Sequence, residues 1–228
     1  MYLDSKIATA SQLSQINQFV KRPNEVAWTH NRLDLPFGTN LYNQMESQFG
    51  DIEGLKSVFR FSWHASSELG RWCSDGVWRQ VFSARVLPRL EGKSPEEMSR
   101  LQEANEIAGN HVPSSPEEPG QLSHKVQVLR KKLSEHYRMD PETKCIVFTT
   151  MRYTALMLLE LFTALEIPHL RPGLLIGART DDLTGANISF RQQFLALVNF
   201  RSGDINCLVS QVHCDNRLPL TFISLLLP

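Results

Sequence analysis

Apolar residues recur at three- and four-residue steps through the first third of the chain. Leu55, Val58 and Phe59 make one such series; Leu69, Trp72, Cys73, Val77, Trp78 and Val81 make another. That spacing puts side chains on one face of an α-helix, so residues 1 to about 92 read as mainly helical. Gly70 interrupts the series and marks a bend or a break between two helices. Trp63, Trp72 and Trp78 fall close together here and read as helical core rather than as an aromatic ligand box. A further helix opens at Ser94-Pro95-Glu96-Glu97. Ser94 suits the cap, Pro95 the first helical position and Glu97 the return arm of a capping box, with Gly109 as a stop.

Pro113-Ser-Ser-Pro-Glu-Glu-Pro-Gly120 fits neither a helix nor an inner strand, and a domain boundary is placed there. Beyond it the pattern changes. Lys125 to His136 reads as a basic amphipathic helix with Val126, Leu129 and Leu133 inward. Lys144 to Thr149 reads as a buried strand, Met151 to Leu165 as a long helix and Leu174 to Gly177 as a second strand. Ser189 to Phe200 reads as a helix with Phe190, Phe194, Leu197 and Val198 on one side, and Ile205 to Ser210 as a third strand. Strands alternating with helices imply a parallel sheet covered on both faces. The expected fold class is therefore α/β: an all-helical domain with linker over 1–120, then a parallel α/β layer over 121–210.

Charge sharpens the boundary. Residues 91–120 hold seven acids against two bases, and residues 121–153 hold seven bases against three acids. The whole chain balances 24 Lys and Arg with 24 Asp and Glu, so its total neither favours nor excludes nucleic acid. Cys73, Cys145, Cys207 and Cys214 form no Cys-x-x-Cys pair, and a reduced intracellular protein (cytoplasm or nucleus) without a zinc knuckle is the simplest expectation. His213 beside Cys214 suggests a metal site only weakly, since Leu208 to Ser210 belong to a strand. The first residues lack the apolar core of a secretory signal. The apolar run Leu218 to Pro228 has about half of the ~20 residues a membrane helix needs, so no membrane association is expected.

Open parallel sheets place ligands beyond the carboxyl ends of their strands. Those ends carry Thr149-Thr150-Met151-Arg152 and Gly177-Ala178-Arg179. Hydroxyls, backbone amides at a helix start and an arginine suit a phosphate oxygen, and Gly177 would let a backbone approach closely. An RNA backbone is one such anion. No Gly-x-x-x-x-Gly-Lys-[Ser/Thr] loop and no Gly-x-Ser-x-Gly elbow occurs. Asp181-Asp182 reads as a solvated turn rather than an acid–base pair, and His124 and His136 as surface residues.

At these strand ends the sequence resembles a known family. Cys145-Ile-Val-Phe-Thr-Thr-Met-Arg-Tyr-Thr-Ala155 is similar to helicase motif IV of Dicer-type RNA helicases. Leu122-Ser-His-Lys-Val126 resembles the helix opening their second motor domain, with His124 where proline is usual. Arg191-Gln-Gln-Phe194 and Asn199 to Leu208 resemble the approach to motif V. Leu3 to Ala10 is similar to the junction after the first motor domain. Glu68-Leu-Gly-Arg-Trp-Cys-Ser-Asp75 resembles a stretch of Dicer's helical insertion, with Arg71 replacing proline, and points to the fungal Dicer-like proteins.

The resemblance implies a helical insertion followed by a partial RecA-like lobe of the P-loop NTPase superfamily, with a divergent tail over 211–228. It places Thr149, Arg152, Gly177, Arg179 and Gln193 near an RNA backbone and assigns no catalytic or metal residue to this chain. Intact members use ATP and Mg and carry RNase III domains; the phosphate loop, acidic box and motifs V and VI are not found here. The sequence is thus expected to be a fragment, as from a truncated gene, with no cofactor of its own. Its expected partners are double-stranded RNA, held weakly or not at all, and a double-stranded-RNA-binding protein docked on the helical insertion. Alternatives are a non-catalytic binding module and an unrelated α/β enzyme. Three parallel strands with one open side would also favour poor solubility.

Overall fold

A computed structural model of the chain describes residues 39–82, 94–177, 189–211 and the backbone of 221–224. Every described residue belongs to one compact unit.

Three helices come first: α1 (Asn40–Phe49), α2 (Lys56–Glu68) and α3 (Arg71–Val81), with a short 3₁₀ turn at Glu53–Leu55. Thr39 caps α1 by accepting from the Tyr42 amide at 3.0 Å. Met45, Leu55, Val58, Ala65, Leu69, Cys73 and Trp78 are buried together, as their spacing predicts. Burying a large apolar side chain contributes roughly 1.5–3 kcal/mol. Phe59 packs edge-on against both Tyr42 and Trp78. Helix α4 (Pro95–Asn110) starts at the expected cap, with Ser94 accepting from Glu97 N, runs one residue past the expected stop at Gly109, and buries Leu101, Ala104 and Ala108.

The α/β layer follows as α5 (His124–Met139), β1 (Cys145–Thr149), α6 (Arg152–Ala164), β2 (Pro172–Leu175), α7 (Phe190–Ser202), β3 (Cys207–Gln211) and β4 (Thr221–Ser224). The strand order is β2-β3-β1-β4. β3 runs parallel to both β1 and β2, with Cys145 opposite Cys207 and Pro172 opposite Cys207. The expected helical part followed by an α/β layer with parallel strands is therefore what the chain builds. Two details differ. β2 begins two residues earlier than Leu174, because an edge strand accepts Pro172 as its first residue. The open side of β1 is paired: β4, from the segment after residue 210, runs antiparallel to it, Phe148 opposite Thr221 and Cys145 opposite Ser224.

Asn206 closes the lower end of the sheet. Fully buried, it donates through Nδ2 to Pro141 O and His169 O and accepts at Oδ1 from the Arg171 amide. Its own carbonyl accepts from Cys145 N and from the buried Tyr137 hydroxyl. These bonds hold Asn206 in the connection, so β3 starts at Cys207 rather than at Ile205. Gly203 ends α7 in the left-handed conformation at φ 93°.

Helical part and α/β layer share one core, and their closest approach is a backbone clasp. Gly70 sits at φ +117° between α2 and α3, where a Cβ would lie 2.3 Å from Gln121 O and 2.6 Å from Ser123 N. The absent side chain lets two stretches of backbone bond directly. Ser123 N donates to Leu69 O at 2.9 Å and Trp72 N donates to Gln121 O at 3.2 Å. Ser123 Oγ donates to Glu68 O at 2.7 Å and also caps α5 by accepting from Val126 N. Lys125 pairs with Glu68 beside them. Carbonyls left without partners at the end of α2 are thus satisfied by the start of α5.

Nearby, Asp75 is buried against His111 Nε2 at 3.0 Å. Burial pushes its carboxyl above the ordinary 3.8, opposed by hydrogen bonds from Thr39 and His111.

Gly70→Ala is expected to cost at least about 3 kcal/mol, from positive-φ strain plus the loss of the clasp, read as a lower urea midpoint. A change under about 1 kcal/mol would show that the clasp is dispensable. Asp75 gives a pH signature. A raised folded-state value means the folded protein holds the proton more tightly, so this contribution is complete below 3.8 and is lost as pH rises through the folded value. The melting temperature of the parent minus that of Asp75→Asn should fall across this interval; a rise would reverse the assignment.

Candidate nucleic-acid interface

β1 ends in Thr149, which is buried, and its hydroxyl donates to Met151 O at 3.1 Å and lies 3.5 Å from Ser210 O. The hydroxyl is thus engaged in shaping the turn that follows. Thr150 is exposed in that turn, and its carbonyl accepts from Gln211 Nε2 at the end of β3. Helix α6 starts at Arg152 with Met151 in extended conformation and no side-chain cap. Its first-turn amides therefore form a positive helix end without a capping oxygen, at the carboxyl end of a central strand.

Arg152 is half-buried and its Nη1 donates to Gly177 O. Because β3 lies between β1 and β2, this bond reaches across the end of β3 and joins the two loops flanking it. Gly177 is exposed two residues beyond β2, and among the described residues a Cβ there would meet nothing within 4 Å. Thr149, Arg152 and Gly177 are thus brought to one end of the sheet. Arg179, Asp181 and Asp182 lie outside the described residues. Gln193 sits on α7, the helix packed along β2, with its side-chain amide nitrogen buried.

Tyr153, next to Arg152, fixes this end to the helical part, a role the sequence reading does not give it. Its ring lies 4.3 Å from that of Phe61 and 6.0 Å, edge-on, from that of His64, both on α2. Its hydroxyl donates to Met151 Sδ at 2.9 Å, and burial pushes the phenol well above its ordinary value. Further along α6, Met157 Sδ would touch a Cβ on Gly76 at 3.1 Å, and Gln80 donates to Glu160. The signal in the sequence is the aromatic Tyr153 at a helix start facing an aromatic-rich helix.

Cys73, Cys145 and Cys207 are free thiols, all buried. Among the described residues no three His, Cys, Asp or Glu side chains gather as a metal site, and no helix is long and apolar enough to cross a membrane. His213 and Cys214 lie outside the described residues.

No protein-family model matches the chain. Among curated proteins it is 49% identical over 234 residues to Dicer-like protein 1 of Aspergillus clavatus and 50% identical over 234 residues to that of Aspergillus niger. Each match takes in 96% of this chain and 15% of the relative. Dicer-like protein 1 of Cryphonectria parasitica is 31% identical over 241 residues, taking in 99% of this chain and 15% of its own. Matches this extensive run beyond residue 210, into the segment that reads as divergent. The chain spans about 15% of the length of these relatives. Among solved structures, the Pyrococcus furiosus Hef helicase domain aligns with 74% of this chain and 34% of its own, at 18% identity and a TM-score of 0.38. Nearly its whole length matched, the chain belongs to the Dicer-like proteins and corresponds to one segment of their much longer members.

Proposed function

We propose that this chain is the helicase-region portion of a Dicer-like protein, helical insertion plus partial second motor lobe, and that it grips the backbone of double-stranded RNA without catalysing a reaction alone. One observation supports this above the others: Arg152 stands at the uncapped start of α6, tied to Gly177 across the open end of the parallel strands. Helix-end amides and a guanidinium favour phosphate oxygens, and Gly177, exposed and without a side chain, suits a close approach of a phosphate. In this reading Arg152 and Arg179 contact phosphate, Gly177 admits it, Thr149 shapes the turn and Gln193 flanks it.

The helical part holds this surface through Tyr153 and the Gly70 clasp, which supports an insertion acting as a scaffold. The domain division at 113–120 is part of the same proposal. ATP and Mg would belong to the longer protein, together with the RNase III chemistry, RNA silencing, antiviral defence and an intracellular setting. The Gly-x-x-x-x-Gly-Lys-[Ser/Thr] loop with which P-loop NTPases cradle ATP phosphates does not occur in this sequence.

Arg152→Ala should weaken binding to a 20-bp RNA duplex roughly tenfold and lower the slope of log affinity against log salt by about 1, read by fluorescence anisotropy. Equal affinity and slope would remove Arg152 from the interface, and binding to a protein partner alone would replace RNA contact with docking. The purified chain should hydrolyse ATP no faster with RNA present than without it; RNA-stimulated phosphate release would overturn the non-catalytic reading.

A further inference from the structure

Helix α7 turns its apolar series away from the protein. Phe190, Phe194, Leu197 and Val198 recur at steps of four, three and one, the pattern of a core-facing stripe. Yet Phe190 is 79% exposed and Phe194 61%, with Leu195, Leu197 and Val198 each above 40%. Five of the nine exposed large apolar side chains among the described residues lie on this one helix. Its buried residues are Ala196 and Phe200, a narrow strip along one side. The exposed side also carries Arg191 and Arg201, and α7 contains no acidic residue.

We propose that the outer face of α7 docks a polypeptide α-helix whose own apolar stripe is bordered by acidic residues. The spacing fits ridge-into-groove packing of a second helix, and the two arginines select acidic flanks. Aliphatic Leu195, Leu197 and Val198 gain from burial against apolar side chains, which a sugar–phosphate backbone does not supply. A second copy paired through this face would bring the arginines of both α7 helices together. In the curated relatives about 85% of the polypeptide lies outside the matched segment, so there is ample chain to provide the partner helix. This inference does not rest on the RNA reading, which uses the turn between β1 and α6.

Designed peptides of about 18 residues, helical with a leucine stripe and glutamate or lysine flanks, supply the test. The purified chain should bind the glutamate peptide about tenfold more tightly than the lysine peptide, by anisotropy, without displacement by duplex RNA. Phe194→Glu, at an exposed position, should weaken that binding about tenfold while circular dichroism stays unchanged. The double variant Arg191→Glu/Arg201→Glu should prefer the lysine peptide. Equal binding of the two peptides, indifference to Phe194→Glu, or displacement of the peptide by RNA would overturn the proposal. So would self-association, seen by sedimentation, that Phe194→Glu abolishes.

Discussion

Two stretches of main chain more than forty residues apart meet at Gly70, and they meet only because that position has no side chain. Carbonyls of Glu68 and Leu69, stranded at the end of α2, receive their hydrogens from Ser123, and Trp72 N in turn donates to the Gln121 carbonyl. Amides and carbonyls bonded this way resist sliding, because any shift would strand several polar groups at once in a buried place. The helical part therefore sets where α5 begins. Tyr137 and Leu133 on α5 pack on the sheet, and through them the clasp fixes the layer that bears Arg152.

A second brace acts on the same layer through α6. Phe61 and His64 enclose Tyr153, while Cys73, Gly76 and Gln80 of α3 lie along α6. Clasp and brace grip the layer on two elements, α5 and α6, that flank β1 in the chain. A surface for an extended polyanion gains from such rigidity, since side chains already held in place lose less freedom when a ligand arrives. By contrast α7 is attached through a thin strip and leaves most of its apolar side chains in solvent.

Local rules in the sequence identified most of the elements. Ser94 caps where capping chemistry puts it, Gly70 breaks the helix it interrupts, and β1 and α6 fall within a residue or two of their periodicity. What escaped depends on distant residues. β2 starts at Pro172 because β3 offers it a partner there, and no propensity of proline would suggest a strand. β4 exists because β1 has an edge to fill. For α7, spacing shows which side chains share a face but not whether anything covers that face. Of the interface, the strand ends carrying Thr149, Arg152 and Gly177 were legible from the α/β pattern, whereas the part played by Tyr153 required knowing that α2 lies beside it.

The sheet's pairings also order how such a chain can assemble. Contacts among α1, α2 and α3 link neighbours in sequence, whereas β1 must find β3 roughly sixty residues later and β4 later still. Loop closure over such spans slows folding, so the helices have time to form first. A helical part that is already in place offers α5 a ready anchor at Gly70, which shortens the effective search for every strand beyond it. Seen kinetically, the glycine is a starting point from which the sheet can be laid down.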